Sequence, residues 1–227
     1  MNISHLHDWK LSPAEAIAIQ HQLTSQIIWD RPLELASVKL VAGVDVSVQP
    51  DAAGVAHSQA AIVVMTFPEL QIIETKLATI PTPFPYIPGL LSFREGPALE
   101  IAFKALENEP DVLIFDGMGR AHPRRIGIAS HLGLWLNKPT IGCGKTLLIG
   151  RFDEPLQERG AWSPLTHHDE VIGAALRTRA FTKPVFISSG NLIDLTSSLE
   201  VAMACTGKYR LPEPIRAAHN AAGKMFG

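Results

Sequence analysis

Apolar and polar positions along the chain change period several times, and each change marks an element. Ser12, Pro13 and Glu15 form a helix start, because a serine cap, an early proline and a glutamate three residues on satisfy free amides. That helix is predicted to run to about Trp29, where Arg31 and Pro32 break it. Lys39 to Val48 then alternates as a strand, with Val44, Val46 and Val48 on one face and Gly43, Asp45 and Ser47 on the other. Turn residues Pro50, Asp51 and Gly54 lead into strands near Ala60 to Thr66 and Gln71 to Ile80, a three-stranded meander.

Four prolines fall between Pro81 and Gly89 and exclude both helix and central strand, leaving a stiff irregular loop. Helical spacing resumes from Ser92 to Glu107, with Leu99, Phe103 and Leu106 on one stripe. A short apolar strand, Asp111 to Phe115, ends in Asp116-Gly117; a helix from Arg125 to Leu136 and a strand from Pro139 to Cys143 follow. Strands alternating with helices imply right-handed crossovers and parallel pairing. Farther on, Val171 to Arg177 and Val185 to Ser188 read as strands, Ser197 to Ala204 as a helix, and Pro212 to Lys224 as a last helix. The expected architecture is one α/β domain over residues 1–227, an antiparallel meander followed by parallel strands in a mixed sheet with helices on its faces.

Composition narrows the function. Apolar residues at 46% and charged residues at 19% supply a core and exclude a disordered chain. A net charge of −2 excludes a protein that coats nucleic acid by its overall field, though local contact is open to it. Cys143 and Cys205 lack any CxxC partner, and His5, His7 and Asp8 interrupt the start where a signal peptide needs an apolar run. The expectation is a soluble, cytoplasmic protein with no membrane partner, acting as a monomer.

The candidate chemistry is acidic. An aspartate buried in a valine-rich strand is costly unless it is paired, hydrogen-bonded or metal-bound. Asp45 within one strand and Asp116 at the end of another shift the reading toward a shared metal. Glu95 has two readings: the fourth residue of a Ser92-x-x-Glu95 capping box, or a third carboxylate delivered by a helix start. Oxygen clusters of this kind take Mg²⁺, or Mn²⁺ in its place, and such ions suit phosphodiester cleavage. Gly144-Lys145-Thr146 matches the end of a phosphate-binding loop, but Pro139 stands where that motif needs glycine. Lys145 is then either a solvated lysine or a point charge beside a phosphate. His122-Pro123-Arg124-Arg125 opens a predicted helix whose amides and guanidinium groups suit phosphates, and Tyr86 is an aromatic held among prolines, either a wedge for a base stack or ordinary packing. His167-His168 is expected in an exposed loop.

In order along the chain, several segments resemble the endonuclease V family of deoxyinosine-directed repair nucleases. They are Val41-Ala-Gly-Val-Asp-Val46, Pro85-Tyr-Ile-Pro-Gly89 with Leu91-Ser-Phe-Arg-Glu95, Phe115-Asp-Gly117, His122-Pro-Arg-Arg125, Gly142-Cys-Gly-Lys145 and Tyr209-Arg-Leu-Pro-Glu-Pro214. The resemblance covers Lys39 to about His219, and Tyr86 to Glu95 is its most specific part. It implies a ribonuclease-H-like fold, dependence on Mg²⁺, and hydrolysis of the second phosphodiester bond 3′ to a deaminated base in DNA. It assigns Asp45, Glu95 and Asp116 to the metal, Lys145 to the cleaved phosphate, and His219 to proton transfer or water positioning. Tyr86 is implied as the wedge, and Pro85, Ile87, Gly89, His122, Arg124 and Asn191 as further substrate contacts. Two positions depart from the family's pattern: Met118 stands where relatives often have histidine, and Gly190-Asn191 replaces a Gly-His pair. Two other functions compete with the leading one, cleavage of inosine-containing RNA and metal-independent binding of distorted nucleic acid without cleavage.

Overall fold

The structure, a computed structural model, describes residue 1 and residues 3–223. The opening helix α1 (Pro13–Thr24) carries the expected capping box: the Glu15 amide donates to Ser12 Oγ at 3.3 Å and the Ser12 amide to Glu15 Oε2 at 2.8 Å. It ends before Trp29 because tertiary partners capture the following backbone. Ile28 N donates to Asn191 Oδ1, Leu33 N to Ser197 Oγ, and Arg31 O accepts from Asp194 N.

Strands β1 (Leu40–Pro50), β2 (Ala56–Thr66) and β3 (Ile72–Pro81) form the antiparallel meander. β2 begins earlier than its apolar run, since Ala56 to Gln59 pair with the polar end of β1. Helix α2 (Leu91–Lys104), β4 (Val112–Phe115), α3 (Ile128–Leu136) and β5 (Thr140–Gly144) complete the crossovers, and β1, β4 and β5 are parallel neighbours. The order β3-β2-β1-β4-β5 is the expected ribonuclease-H-like arrangement.

The sheet continues beyond it as β8-β7-β6, three antiparallel strands: β6 (Trp162–His167), β7 (Glu170–Leu176) and β8 (Val185–Asn191). β6 is an addition to the sequence reading. A proline is tolerated in it because at the sheet edge the missing amide of Pro164 leaves no partner unpaired, and Ser163 and Leu165 alternate inward. His168 and Asp169, at φ 54° and 60°, make the two-residue turn joining β6 to β7, so His167 belongs to a strand and only His168 to the tip. Helix α3 starts three residues later than expected, because Arg125 has φ 59°, outside the helical region, and Gly127 supplies the N-cap.

Alternation along β1 and β4 sends side chains to opposite faces. Val44, Leu113 and Phe115 pack under α2 and α3 with Leu99, Phe103, Leu132 and Trp135. Val41, Val112 and Ile114 face α4 (Leu195–Ala204) and α5 (Glu213–Gly223), meeting Val201, Ala202, Ile215 and Ala218. Each such large side chain contributes about 1.5–3 kcal/mol by leaving water. The expected end of the last helix, Lys224, lies outside the described residues. Among the described residues no helix is long and apolar enough to cross a membrane, and both cysteines are free and buried.

Candidate metal centre and its cleft

The parallel strands β1, β4 and β5 deliver one functional side chain each at the same end of the sheet. Asp45 lies in β1. Asp116 follows β4, and its amide donates to Val44 O at 2.9 Å, extending the ladder so that the aspartates become neighbours. Lys145 follows β5 and donates from Nζ to Asp116 Oδ2 at 2.5 Å. Ligand sites in such sheets lie beyond the carboxyl ends of the parallel strands.

The fourth group comes from α5, and Gly43 admits it. A Cβ at Gly43 would stand 1.9 Å from Pro214 O, so only glycine lets the start of α5 lie on β1. From there His219 Nδ1 reaches Asp45 Oδ2 at 2.8 Å. Asp45, Asp116 and His219 each offer a ligand atom within 4.8 Å of the others.

Glu95, on α2, stands just outside that group but within its field. Burial first, then the charges of Asp45 and Asp116, push its carboxyl well above the usual carboxylate range. Among the described residues no donor hydrogen-bonds it. The capping-box reading of Glu95 is overturned: Leu90 is the N-cap without a side-chain bond, and Ser92 Oγ pairs with His131 Nδ1 at 2.8 Å instead. Asp45 is raised too, by burial and then by Asp116, against the hydrogen bond from His219 and the charge of Lys145. Three acidic groups with one lysine between them leave negative charge that a hard divalent cation offsets.

Beside the acids the proline loop is braced at both ends. Phe84 is buried against Phe93, and Phe84 O accepts from Arg94 Nη1 at 3.0 Å. At the other end Gly89 O accepts from Arg124 Nη2 at 2.7 Å, Gln20 Nε2 at 3.0 Å and His122 Nε2 at 3.1 Å. Gly89 has φ +81°, which glycine adopts without strain. Between these anchors Pro85 and Ile87 flank Tyr86, which is 72% exposed, too open for the packing reading. The loop forms one wall of a cleft of about 340 Å³, with Met118 and Leu148 opposite and Asp116 and Lys145 at its edge.

His122 and Arg124 therefore occupy backbone-bracing positions, not the start of a helix. Burial, then the charge of Arg124, lowers the His122 imidazole to about 4, so it braces the loop in its neutral form. Arg125 is paired with Glu170 at 2.6 Å, which corrects the expectation of a free basic patch at a helix start. Asn191 is a second correction. It is 2% exposed, and its amide donates to Gly133 O at 3.1 Å and accepts from Ile28 N at 3.2 Å, so neither atom is left to meet nucleic acid. Met118 fills an apolar cluster with Leu165, Ile172 and Phe186, a role that a histidine would serve less well.

Sequence reading missed Gln20, Leu147, Leu148 and Arg210. Gln20 interrupts the apolar stripe of α1, and the Leu147-Leu148 pair lies in a loop where leucines have no core to fill; both are signals in hindsight. Arg210 holds the backbone of Lys145, donating from Nη2 to Lys145 O at 2.8 Å and from Nε to Lys183 O at 2.8 Å.

The model of the Endonuclease V family matches residues 21–220. The chain belongs to the endonuclease V family. Endonuclease V from Trichormus variabilis is 50% identical over 218 residues, 96% of this chain and 97% of that protein. The crystal structure of the Bacillus subtilis Endonuclease V superposes with a TM-score of 0.95 at 34% identity, covering 100% of this chain and 97% of the other. Endonuclease V from Ciona intestinalis, solved with a 24mer DNA containing an inosine followed by a ribo-adenosine, superposes at 0.81 with 29% identity over 94% of this chain and 96% of the other. Membership makes the chain a phosphodiester-hydrolysing, metal-dependent nuclease, and Asp45, Asp116 and His219 are grouped closely enough to hold a metal ion.

Proposed function

We propose that this family member is a Mg²⁺-dependent DNA repair endonuclease that cleaves the second phosphodiester bond 3′ to deoxyinosine. The observation that carries the reading is the joining of two features: a base-sized cleft under an exposed tyrosine opens directly onto Asp116 and Lys145.

Asp45, Asp116 and Glu95 are the carboxylates suited to Mg²⁺, with Mn²⁺ as a substitute. The metal supplies a polarised phosphoryl oxygen and a water of lowered pKa. Lys145 places its charge where a scissile phosphate would lie. His219 is bonded to Asp45 through Nδ1, and its other ring nitrogen, which meets no partner among the described residues, is the one to orient a water or receive its proton. Tyr86 takes the place of an extruded base in the stack, and the cleft behind it receives that base. Leu91 and Ser92 open α2 with no side-chain cap, so their amides are donors at the cleft wall for a purine oxygen. His122, Arg124, Pro85, Ile87 and Gly89 shape this wall.

The DNA held by the Ciona relative contains an inosine followed by a ribo-adenosine, and that observation supports cleavage of inosine-containing RNA as a second reading. Matched DNA and RNA strands, incubated with Mg²⁺, separate the two. Nicking of inosine DNA one nucleotide beyond the lesion's own 3′ bond is expected, and absence of any offset nick with either metal refutes the proposal. A binding-only module is disfavoured, because Asp45, Glu95, Asp116 and Lys145 are all present. The reduced, buried cysteines support a cytoplasmic setting.

A further inference from the structure

Residues 1–20 lie outside the stretch that the family model matches, yet besides Gln20, which lines the cleft, two of them pack behind its wall. Trp9 lies against Gly96 of α2, where a Cβ would stand 2.4 Å from its ring, and stacks on Trp135 with centroids 4.5 Å apart. Beside it His7 Nε2 meets His131 Nε2 at 2.7 Å, and His131 Nδ1 meets Ser92 Oγ at 2.8 Å. Ser92 lines the cleft and is 2% exposed.

The direction of this chain follows from one atom. His7 Nδ1 lies 2.8 Å from the carbonyl of Asp8, and a carbonyl only accepts, so Nδ1 carries hydrogen. In a neutral ring His7 Nε2 then accepts, His131 Nε2 donates to it, and His131 Nδ1 is left to accept. The Ser92 hydroxyl must donate to that nitrogen. Burial keeps both rings neutral, holding His7 below its ordinary value and His131 at about 3.

With its only hydrogen committed inward, Ser92 Oγ has nothing but lone pairs for a ligand. We infer that His7 and His131 are positioning residues that make Ser92 an acceptor-only member of the cleft wall, selecting a base edge that carries N–H over one that carries a lone pair. Hypoxanthine has hydrogen on N1, where adenine has a lone pair. The inference rests on the reading of the cleft as a base pocket.

In His7→Phe the ring shape is kept and the acceptor lost. His131 then gains nothing from Nε2–H, its proton moves to Nδ1, and Ser92 is released to turn its hydrogen outward. The test uses the full chain with Ca²⁺ and 24-mer duplexes differing only in hypoxanthine or adenine at one position. The wild-type preference for hypoxanthine is expected to fall about tenfold in His7→Phe and in Ser92→Ala, and no further in the double variant, because one bond is removed by either route. Unchanged preference in the single variants, or additive losses in the double, overturns the inference. A wild type without preference refutes the base-pocket reading instead. The hydrogen-bond direction is then judged separately by ¹⁵N-histidine NMR of the free protein: Nδ1–H on His7 and Nε2–H on His131 support it, and the opposite tautomers overturn it.

Discussion

Replacing Gly43 by alanine tests whether the metal centre depends on the approach of α5. The added Cβ would meet Pro214 O at 1.9 Å, Pro214 C at 2.1 Å and Ile215 N at 2.8 Å, all backbone atoms that no rotamer change can move aside. To reach even 3.0 Å the start of α5 must recede by about 1.1 Å. His219 rides on that helix, so its bond to Asp45, 2.8 Å long, stretches beyond hydrogen-bonding range. Overpacking of this kind costs about 1–3 kcal/mol, or about 2–12 °C in Tm for a chain of this size. A displacement of about 1 Å at reacting groups lowers rate about a hundredfold. The sign is diagnostic, because glycine to alanine in an uncrowded strand would stabilise by about 0.5–1 kcal/mol. Thermal unfolding and single-turnover nicking of an inosine duplex, measured on the same preparation, check both effects. A raised Tm with an undiminished rate would refute the reasoning.

Tyr86→Ala should change stability by less than about 0.5 kcal/mol, since the ring is exposed, yet weaken binding of inosine DNA about tenfold, as loss of one stacking platform does; calorimetry and anisotropy read the two. Arg210→Ala should slow nicking about tenfold by freeing the Lys145 backbone, and combining it with Lys145→Ala should add little, because both act through one ammonium group; additive losses would contradict this. His131 has its folded pKa at about 3, below the unfolded value of about 6.5, so its contribution is full above pH 6.5 and is lost as pH falls toward 3. The Tm advantage of the wild type over His131→Asn should therefore shrink between pH 7 and pH 4.5.

Elements with a strong period were legible from sequence: the meander, the β4 and β5 strands and the apolar stripe of α2 all lie where alternation or helical spacing puts them. Misplaced ends share one cause, tertiary capture of backbone groups that local pattern cannot reveal. Ile28 ends α1 by donating to Asn191, and Arg125 delays α3 by turning to Glu170. The edge strand β6 went unread, and its Pro164 is a residue that a central strand excludes and an edge allows. At the site, Asp45 and Asp116 were visible because an acid in an apolar strand is conspicuous. Glu95 was ambiguous, since Ser92-x-x-Glu95 has the form of a cap, and only the pairing of Ser92 with His131 resolves it. The bracing of Gly89 by His122, Arg124 and Gln20 had no local signal at all, because it joins positions far apart along the chain around a single carbonyl.

The central claim is that Asp45, Asp116 and Glu95, with His219 at the rim, surround one divalent cation. Anomalous diffraction from crystals soaked in Mn²⁺ measures it directly. The account predicts a peak between Asp45 and Asp116, at roughly 2.0–2.3 Å from an oxygen of each, with Lys145 drawn off Asp116. A peak elsewhere, or none while the Lys145–Asp116 pair stays closed, would contradict it.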